Sequence, residues 1–316
     1  MLQILKTIGA FLFAATLIYI GFEYLLTGEQ KSLFFSTSIR THLISIVLLL
    51  PVYISGGIGL RLLYGKISKV TISIYDTITL PIVMNLWGFI IPFQGSLIYT
   101  SSYIYSKYRK SISESVRVSL VSFSISMCLA GFVGIIFFFT TKIYVPGFFL
   151  LISLLLFINP GIFYSVSKFA RHFKSPDLAG MRKILEWSRG IFSLEQIDGK
   201  LIFYLLLVNI LNVASTTLWS YWIVLGLNLN LTIIQLILIA LLMKFMLLVK
   251  LTPGNLGLNQ LASGGIALLV GGKVSDGFLL SAFQYLSLIL VAFTVGIACT
   301  IVNMKHFKWQ RNDSAA

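Results

Sequence analysis

The sequence predicts an all-α polytopic membrane protein with about six full transmembrane helices and two re-entrant helical hairpins in an inverted repeat. The first observation behind this prediction is composition: 57% of the 316 residues are hydrophobic and 11% are charged, against about 45–50% and roughly 25% in soluble domains. The second is a series of apolar runs long enough to cross the ~30 Å hydrocarbon layer of a bilayer. The third is that two of these runs are broken by proline.

The apolar runs are distributed over the whole chain, so we assign residues 1–316 to a single integral membrane domain. The first run has no small-x-small cleavage site, which favours a retained helix over a signal peptide. In chain order the apolar runs are 4–26, 39–60, 71–91, 93–106, 118–139, 143–165, 201–225, 232–249, 255–271 and 277–303. The predicted parts are an N-terminal helix (1–38), repeat 1 (39–139), a linking helix with a basic cytoplasmic loop (140–200), repeat 2 (201–303) and a tail (304–316).

Two pairs of runs, 71–91/93–106 and 232–249/255–271, are each divided by a break that contains proline, Pro92 or Pro253. Proline removes a backbone donor and disfavours helix in the preceding residue. A helix over 93–106 would be only ~21 Å long, too short to span. Because freed backbone groups are tolerated at membrane depth only where protein or a polar cavity satisfies them, the pairs predict two re-entrant hairpins. Full spans are the alternative.

The two halves of the chain resemble each other in order. Thr71 and Thr232 are separated by the same interval as Pro92 and Pro253, and each threonine is followed by isoleucine. Ile112-Ser113-Glu114 and Val274-Ser275-Asp276 then predict two helices with a serine N-cap and an acid in the first turn. The run SGGIG at 55–59 is typical of a close-packing patch more than of a binding loop.

Positive charge orients these repeats. With the N- and C-termini in the cytoplasm, the cations on the outer side are Lys31, Arg40, Lys142 and Lys273, and most of the 24 Lys and Arg residues lie inside. The repeats are then inverted, and the hairpins enter from opposite faces and meet near the midplane, as in many transporters. The predicted location is the plasma (inner) membrane.

Two stretches resemble the flippase-type membrane domain of lysylphosphatidylglycerol synthases, in a stand-alone member without the aminoacyl-transferase domain. One is Pro253-Gly254-Asn255-Leu256-Gly257-Leu258-Asn259-Gln260, and the other runs from Asn85 to Gly95 ahead of basic residues 107–110. The resemblance covers about residues 1–305 and implies lipid flipping. This chain has neutral Asn259 and Gln260 where the family commonly has Arg-Glu.

The candidate substrate-binding residues lie at the two breaks and on one helix. Lys250 is the candidate of most interest, since a lysine at membrane depth is costly and needs a partner such as a lipid phosphate; the alternative is that it snorkels to an interface. Asn209 and Asn212, with Thr216 and Ser220, form either a polar wall or helix–helix hydrogen bonds. The full set is Lys250, Pro253, Gly254, Asn255, Gly257, Asn259, Gln260, Asn85, Pro92, Gln94, Gly95, Asn209 and Asn212.

These residues predict translocation of a lipid or lipid-linked saccharide across the plasma membrane through a groove between the hairpins. The predicted partners are membrane lipids, anionic or phosphate-bearing, with a glycosyltransferase or synthase as a further candidate, and nucleic acid is excluded. The alternatives are a non-transporting membrane partner of such an enzyme, or a lipid-modifying enzyme. The ten acids and three histidines form no motif for catalysis or metal binding, so we predict no enzyme activity, metal or cofactor.

Overall fold

The computed structural model describes residues 2–91, 95–141, 198–247 and 252–308. Within these ranges the chain forms helices and turns and no β-strand. Four of the helices are long and apolar enough to cross a membrane: Ile8–Leu25, Ile39–Ile67, Gly199–Gly226 and Val274–Met304. The protein is therefore a multi-pass helical membrane protein. The predicted run 143–165 lies outside the described residues.

The described chain contains long and short helices in a recurring order. The first half comprises α1 (Leu2–Ile20), a π-helical turn (Gly21–Leu25), α2 (Gly28–Phe35), α3 (Ile39–Ile67), α4 (Ile74–Ile90), α5 (Gly95–Tyr108) and α6 (Ile112–Thr141). The second half comprises α7 (Gly199–Gly226), α8 (Ile233–Leu242), 3-10 turns at Met243–Leu247 and Pro253–Asn255, α9 (Leu258–Leu269), α10 (Val274–Val291), a π-helical turn (Ala292–Gly296) and α11 (Ile297–Lys308). A long helix, two short helices and a long helical segment thus follow one another twice, as α3–α6 and as α7–α11.

Side-chain caps fix where several of these helices begin. Ser38, Ser73, Asp198 and Thr232 each accept a hydrogen bond from the backbone N–H three residues later, which satisfies a donor that the helix leaves free. Thr232 therefore opens α8 as predicted, whereas α4 is opened by Ser73 and not by Thr71.

The predicted serine N-caps of α6 and α10 are wrong. The Ser111 hydroxyl caps α6 by accepting from Glu114 N at 3.3 Å, so Ser113 lies inside the first turn. At α10 the N-cap position belongs to Lys273, and the Ser275 hydroxyl instead bonds to Gln30 Nε2 at 2.9 Å. Both helices begin two residues earlier than predicted, because Ser111 and Lys273 occupy the N-cap positions and the predicted serines lie inside the first turn.

Helices α3 and α7 pack side by side in opposite directions. At one end the Lys66 ammonium, near the end of α3, lies 2.6 Å from the Asp198 carboxylate at the start of α7. At the other end Trp222 Nε1, in the last turns of α7, donates to the Thr41 carbonyl at the start of α3 over 3.3 Å. The helix–hairpin–helix units that follow α3 and α7 therefore start from opposite ends of this pair.

Helices α4 and α5 form the first hairpin (hairpin 1). The beginning of α4 and the end of α5 are tied together, since Lys107 Nζ lies 2.7 Å from Asp76 Oδ2 and the Tyr108 hydroxyl donates to the same carboxylate. The Tyr108 hydroxyl also accepts from Ser73 N at 3.1 Å. Because only residues 68–73 separate α3 from α4, the open end of hairpin 1 lies beside the end of α3.

Helices α8 and α9 form the second hairpin (hairpin 2), which opens beside the end of α7. Gln235 Nε2, in the first turn of α8, donates to the Val270 carbonyl at the end of α9 over 3.1 Å. The two hairpins open at opposite ends of the α3–α7 pair, so their closed ends point toward each other. They meet where the Phe89 ring of hairpin 1 lies against Gly254 of hairpin 2.

Glycines allow the closest helix contacts around these hairpins. A Cβ on Gly57 of α3 would lie 1.6 Å from the Thr77 carbonyl oxygen of α4, and one on Gly277 of α10 would lie 2.4 Å from the Ser263 carbonyl oxygen of α9. The prediction that residues 55–59 form a close-packing patch is thus confirmed for Gly57. Gly56 is different, because a Cβ there meets nothing within 4 Å.

Candidate functional site

A cavity of about 490 Å³ lies where the closed ends of the hairpins meet. It is bounded by α3, α4, the start of α5, α6, α7, α10, the break in hairpin 2 and the start of α9. Its walls are mainly apolar and aromatic, with a few amides and hydroxyls, which is the composition of small-molecule sites in general. The residues that line it include Tyr53, Gly56, Asn85, Phe89, Gly95, Thr216, Trp219, Gly254, Asn255, Asn259 and Tyr285.

The wall from hairpin 1 carries one amide and a sharp bend. Asn85 Nδ2 donates to the Tyr53 hydroxyl of α3 over 3.1 Å, so both polar groups are held at the cavity surface. Gly95 starts α5 against the preceding helix, and a Cβ there would lie 2.1 Å from the Trp87 carbonyl oxygen. Two predicted site residues of the first break, Asn85 and Gly95, thus line the cavity.

The wall from hairpin 2 is an irregular turn that only certain residues can form. Gly254 (φ 57°), Asn255 (φ 58°) and Gly257 (φ 82°) all have positive φ, a region that glycine occupies freely and asparagine tolerates. Asn255 Nδ2 donates to the Met246 carbonyl at 2.9 Å, and Thr252 Oγ1 donates to the Leu256 carbonyl at 2.8 Å. The polar residues of this break therefore satisfy backbone carbonyls that the broken helix leaves free.

Tyr285 of α10 links this turn to the next helix. Its hydroxyl donates to the Gly254 carbonyl over 2.7 Å and accepts from Asn259 Nδ2. Gly254, Asn255 and Asn259 all line the cavity. The structure thus brings three of the predicted residues of the second break together with Asn85 and Gly95 from the first.

Three other predicted residues of the second break, Pro253, Gly257 and Gln260, shape the turn without lining the cavity. Pro253 is buried and begins the 3-10 turn. Gln260 is also buried, and its Oε1 accepts from Gly257 N at 2.6 Å, which caps the start of α9. These residues position the break, and the cavity wall is formed by their neighbours.

Asn209 and Asn212 are used in contacts between helices. Asn209 Oδ1 accepts from the Ser126 hydroxyl of α6 at 2.7 Å. Asn212 Nδ2 donates to the Ser55 hydroxyl of α3 at 2.9 Å, and its Oδ1 accepts from Lys244 Nζ at 2.6 Å. Of the two interpretations of this stripe, helix–helix bonding describes both asparagines, whereas Thr216 on the same helix lines the cavity.

Three predicted site residues, Pro92, Gln94 and Lys250, lie outside the described residues. Lys244, which precedes Lys250 on hairpin 2, is half-buried and is held by Asn212. Within the described part of the chain, no ion pair with a carboxylate forms at Lys244.

Three aromatic residues of the site, Tyr53, Trp219 and Tyr285, were not predicted from the sequence. Trp219 Nε1 donates to the Ser45 hydroxyl at 2.7 Å, so its ring is fixed at the cavity wall. The chain has 14 tyrosines and 5 tryptophans, and these three carry no local motif. Their role follows from the packing of α3, α7 and α10, which no short stretch of sequence encodes.

A second cavity, of about 450 Å³, is a groove lined by α6, α7 and α8. Its walls include Leu129, Ile210, Leu218, Ile237 and Leu241, and they are almost entirely apolar. This groove can accommodate a hydrocarbon chain, but it offers a headgroup almost no hydrogen bonds. Of these two cavities, the one between the hairpins is the one with hydrogen-bonding groups in its wall.

Comparison of this chain with protein-family models, curated proteins and solved structures finds no match. The class of protein is accordingly defined by the fold and the site: a multi-pass helical membrane protein with a partly polar cavity between two opposed hairpins.

Proposed function

We propose that this protein translocates a lipid or a lipid-linked saccharide between the leaflets of the plasma membrane. The observation that carries the proposal is the cavity of about 490 Å³ where the two hairpins meet, lined by amides and aromatic rings within an otherwise apolar molecule. A headgroup needs such a polar surface to cross the bilayer, because unpaired polar groups are costly in hydrocarbon.

The proposed architecture has six full spans and two re-entrant hairpins in an inverted repeat. The recurring order of long and short helices supports it, as does the antiparallel packing of α3 and α7. In this arrangement α6 and the run 143–165 complete the set of spans. Transporters built from inverted repeats place their substrate site where broken helices meet, which is the position of the cavity here.

Charge supports the proposed orientation, with both termini in the cytoplasm. Hairpin 1 then opens toward the cytoplasm and hairpin 2 toward the outside. Lys66 and Lys107 lie at the open end of hairpin 1, and Lys31 and Lys273 lie at the proposed outer end, where they are among few cations.

The chemistry of transport follows from the two kinds of wall. The headgroup would pass the amides of the cavity while its acyl chains remain in lipid or in the apolar groove along α7. Lys250 is proposed to pair with a phosphate on the lipid, because the ammonium is costly at membrane depth without an anion. The likeness to the flippase domain of lysylphosphatidylglycerol synthases points to the same activity.

A leaflet assay on the purified protein tests this function. The protein is reconstituted into liposomes that contain a fluorescent phospholipid or a fluorescent lipid-linked sugar, and an impermeant quencher reports the label remaining in the inner leaflet. We expect at least one of these lipids to exchange several-fold faster than in protein-free vesicles. Equal rates with and without protein for every lipid tested would contradict the proposal.

A lysine variant tests the proposed phosphate contact in the same assay. Lys250→Gln removes the charge and keeps most of the side-chain length, so it should abolish transport while expression and folding persist. Lys31→Gln is the matched control, since Lys31 pairs with Glu23 at 3.0 Å far from the cavity and should transport normally. Normal transport by Lys250→Gln would remove Lys250 from the site.

A further inference from the structure

Among the described residues, two buried oxygen atoms at the cavity have no hydrogen-bond partner. They are Oδ1 of Asn255 and Oδ1 of Asn259. Asn255 is 7% exposed, and both residues line the cavity between the hairpins. Since a buried polar atom without a partner is destabilising, these two oxygens mark where a donor from a ligand is needed.

The neighbouring hydrogen bonds fix both unpaired atoms as oxygens rather than amide nitrogens. In Asn255 the amide nitrogen must face the Met246 carbonyl, which can only accept. In Asn259 the amide nitrogen must face Tyr285, because the single hydroxyl hydrogen of Tyr285 is already donated to the Gly254 carbonyl. Neither amide can rotate without losing a bond, so two residues of the cavity wall each carry an unpaired acceptor.

The charge around the cavity decides between the two common kinds of donor. An ammonium donor would need a carboxylate nearby, and no charged side chain lines the cavity among the described residues. The two undescribed breaks contain Pro-Phe-Gln at 92–94 and Leu-Val-Lys-Leu at 248–251, and neither includes an acid. A cationic headgroup would therefore be buried without a counter-charge, at a large free-energy cost. A hydroxyl donor carries no such cost.

The remaining walls suit a ring that carries hydroxyl groups. The aromatic side chains of Tyr53, Phe89, Trp219 and Tyr285 line the same cavity. The C–H faces of a sugar ring are apolar and can pack on aromatic rings, while its hydroxyls point outward at its edge. The hydrogen-bonded pair of the Asn85 amide and the Tyr53 hydroxyl provides a further donor or acceptor in the cavity wall.

We propose that the headgroup recognised by this cavity is an uncharged sugar, whose hydroxyls donate to Oδ1 of Asn255 and Oδ1 of Asn259. This inference rests on the proposed lipid translocation and narrows its substrate class to sugar-bearing lipids whose phosphate is available to pair with Lys250. A lipid whose headgroup has no hydrogen-bond donor leaves both oxygens unpaired and is discriminated against for that reason.

A binding experiment tests this recognition independently of transport. Purified protein in detergent is titrated with three lipids that have identical acyl chains, and bound lipid is counted by native mass spectrometry. The lipids are phosphatidylglucoside, the same lipid with its sugar hydroxyls O-methylated, and phosphatidylcholine, so that all three carry the phosphate proposed to pair with Lys250. We expect the free glucosyl lipid to bind at least tenfold more tightly than the other two, on the order of what two hydrogen bonds contribute.

A pair of variants assigns this preference to the amide. Asn259→Leu removes the acceptor and should reduce the preference for the glucosyl lipid to about twofold or less. Asn230→Leu makes the same change in an exposed loop at the open end of hairpin 2 and should leave the preference unchanged. If Asn259→Leu does not fold, the three-lipid series on the unaltered protein still decides the question.

The outcomes separate this inference from the proposed function. Equal binding of glucosyl and O-methylated lipids, or a preference that survives Asn259→Leu, would overturn sugar recognition. Equal flipping of phosphatidylcholine and the glucosyl lipid would overturn it too, while supporting translocation. Selective binding of the glucosyl lipid without any flipping would support sugar recognition and contradict translocation.

Discussion

The neighbouring residues Gly56 and Gly57 of α3 lack a side chain for different reasons. Gly57 faces α4 at such short range that a Cβ would lie 1.6 Å from the Thr77 carbonyl oxygen. Gly56 lines the cavity, where a Cβ would have open space. One glycine therefore permits helix packing, and the other leaves room in the site.

Alanine at these two positions should have opposite effects on stability. Gly57→Ala forces α3 and α4 apart and should lower the free energy of unfolding by about 2 kcal/mol or more. Gly56→Ala meets no atom and removes a flexible residue from a helix, so it should be neutral or stabilising by up to about 1 kcal/mol. Thermal unfolding in detergent measures both. A destabilised Gly56→Ala beside an unaffected Gly57→Ala would contradict the described packing of α3.

Removal of the Tyr285 hydroxyl should loosen the turn of hairpin 2. Tyr285→Phe leaves the Gly254 carbonyl without its donor and the Asn259 amide nitrogen without its acceptor. We expect a loss of about 2 kcal/mol in the free energy of unfolding. Tyr24→Phe is the control, because Tyr24 is 78% exposed. Equal melting temperatures for the two variants would show that Tyr285 does not hold the turn.

At the scale of the element, a buried polar cluster holds α4 and α5 together at the open end of hairpin 1. Asp76 is 1% exposed and accepts from Lys107 Nζ and from the hydroxyls of Tyr103 and Tyr108. Three donors from α5 thus converge on one carboxylate of α4. Since a short hairpin buries little surface of its own, this cluster is what we expect to fix the pairing of its two helices.

Loss of the Asp76 carboxylate should destabilise the protein strongly. Asp76→Ala leaves Lys107, a partly buried cation, without its anion, and we expect a cost of about 3 kcal/mol. The exposed pair of Lys66 and Asp198 is the comparison, and Asp198→Ala should cost clearly less, mainly because α7 loses its N-cap.

Both variants should be compared at neutral pH. The hydrogen bond from Lys66 holds the pKa of Asp198 below its usual value, so this pair is formed at neutral pH and is lost only when the pH falls below the usual range of a carboxyl group. A cost for Asp76→Ala no larger than that for Asp198→Ala would contradict the role assigned to the buried cluster.

At the scale of the whole molecule, two hairpins approach each other from opposite ends of the antiparallel helices α3 and α7. This arrangement places Phe89 of one hairpin against Gly254 of the other, with the cavity beside them. Under the proposed function, small movements of one hairpin against the rest would open this site to either side. It is thus suited to the alternating access that transport requires.

Single cysteines test the orientation of this arrangement across the membrane. In a background without Cys128 and Cys299, Gly28→Cys should react with an impermeant thiol reagent in intact cells. Lys110→Cys should react only after the membrane is permeabilised. Gly28 lies at the start of α2 on the proposed outer side, and Lys110 lies between α5 and α6 on the proposed inner side. Labelling of Lys110→Cys in intact cells would contradict the inverted repeat.

Much of this arrangement could be predicted because helix breaks and hydrophobic length are local properties of sequence. Pro253, Gly254 and Gly257 predict a turn because proline and glycine disfavour helix. The apolar runs match most described helices to within a few residues at one end or the other. The N-caps Ser111 and Lys273 could not be predicted, because several neighbouring residues can cap a helix equally well. The cavity aromatics Tyr53, Trp219 and Tyr285 depend on which helices meet, which is a property of the tertiary structure.

Lipid exchange in liposomes that contain a variant with a filled cavity tests directly whether headgroups pass through the cavity between the hairpins. Gly56→Phe adds a bulky ring at a residue that lines the cavity, where a Cβ meets nothing within 4 Å. Gly265→Phe makes the same change on α9, where a Cβ also meets nothing within 4 Å and the residue does not line the cavity. The account predicts that Gly56→Phe reduces protein-dependent exchange at least tenfold while Gly265→Phe retains it, both variants melting close to the unaltered protein. Normal exchange by a folded Gly56→Phe would contradict it.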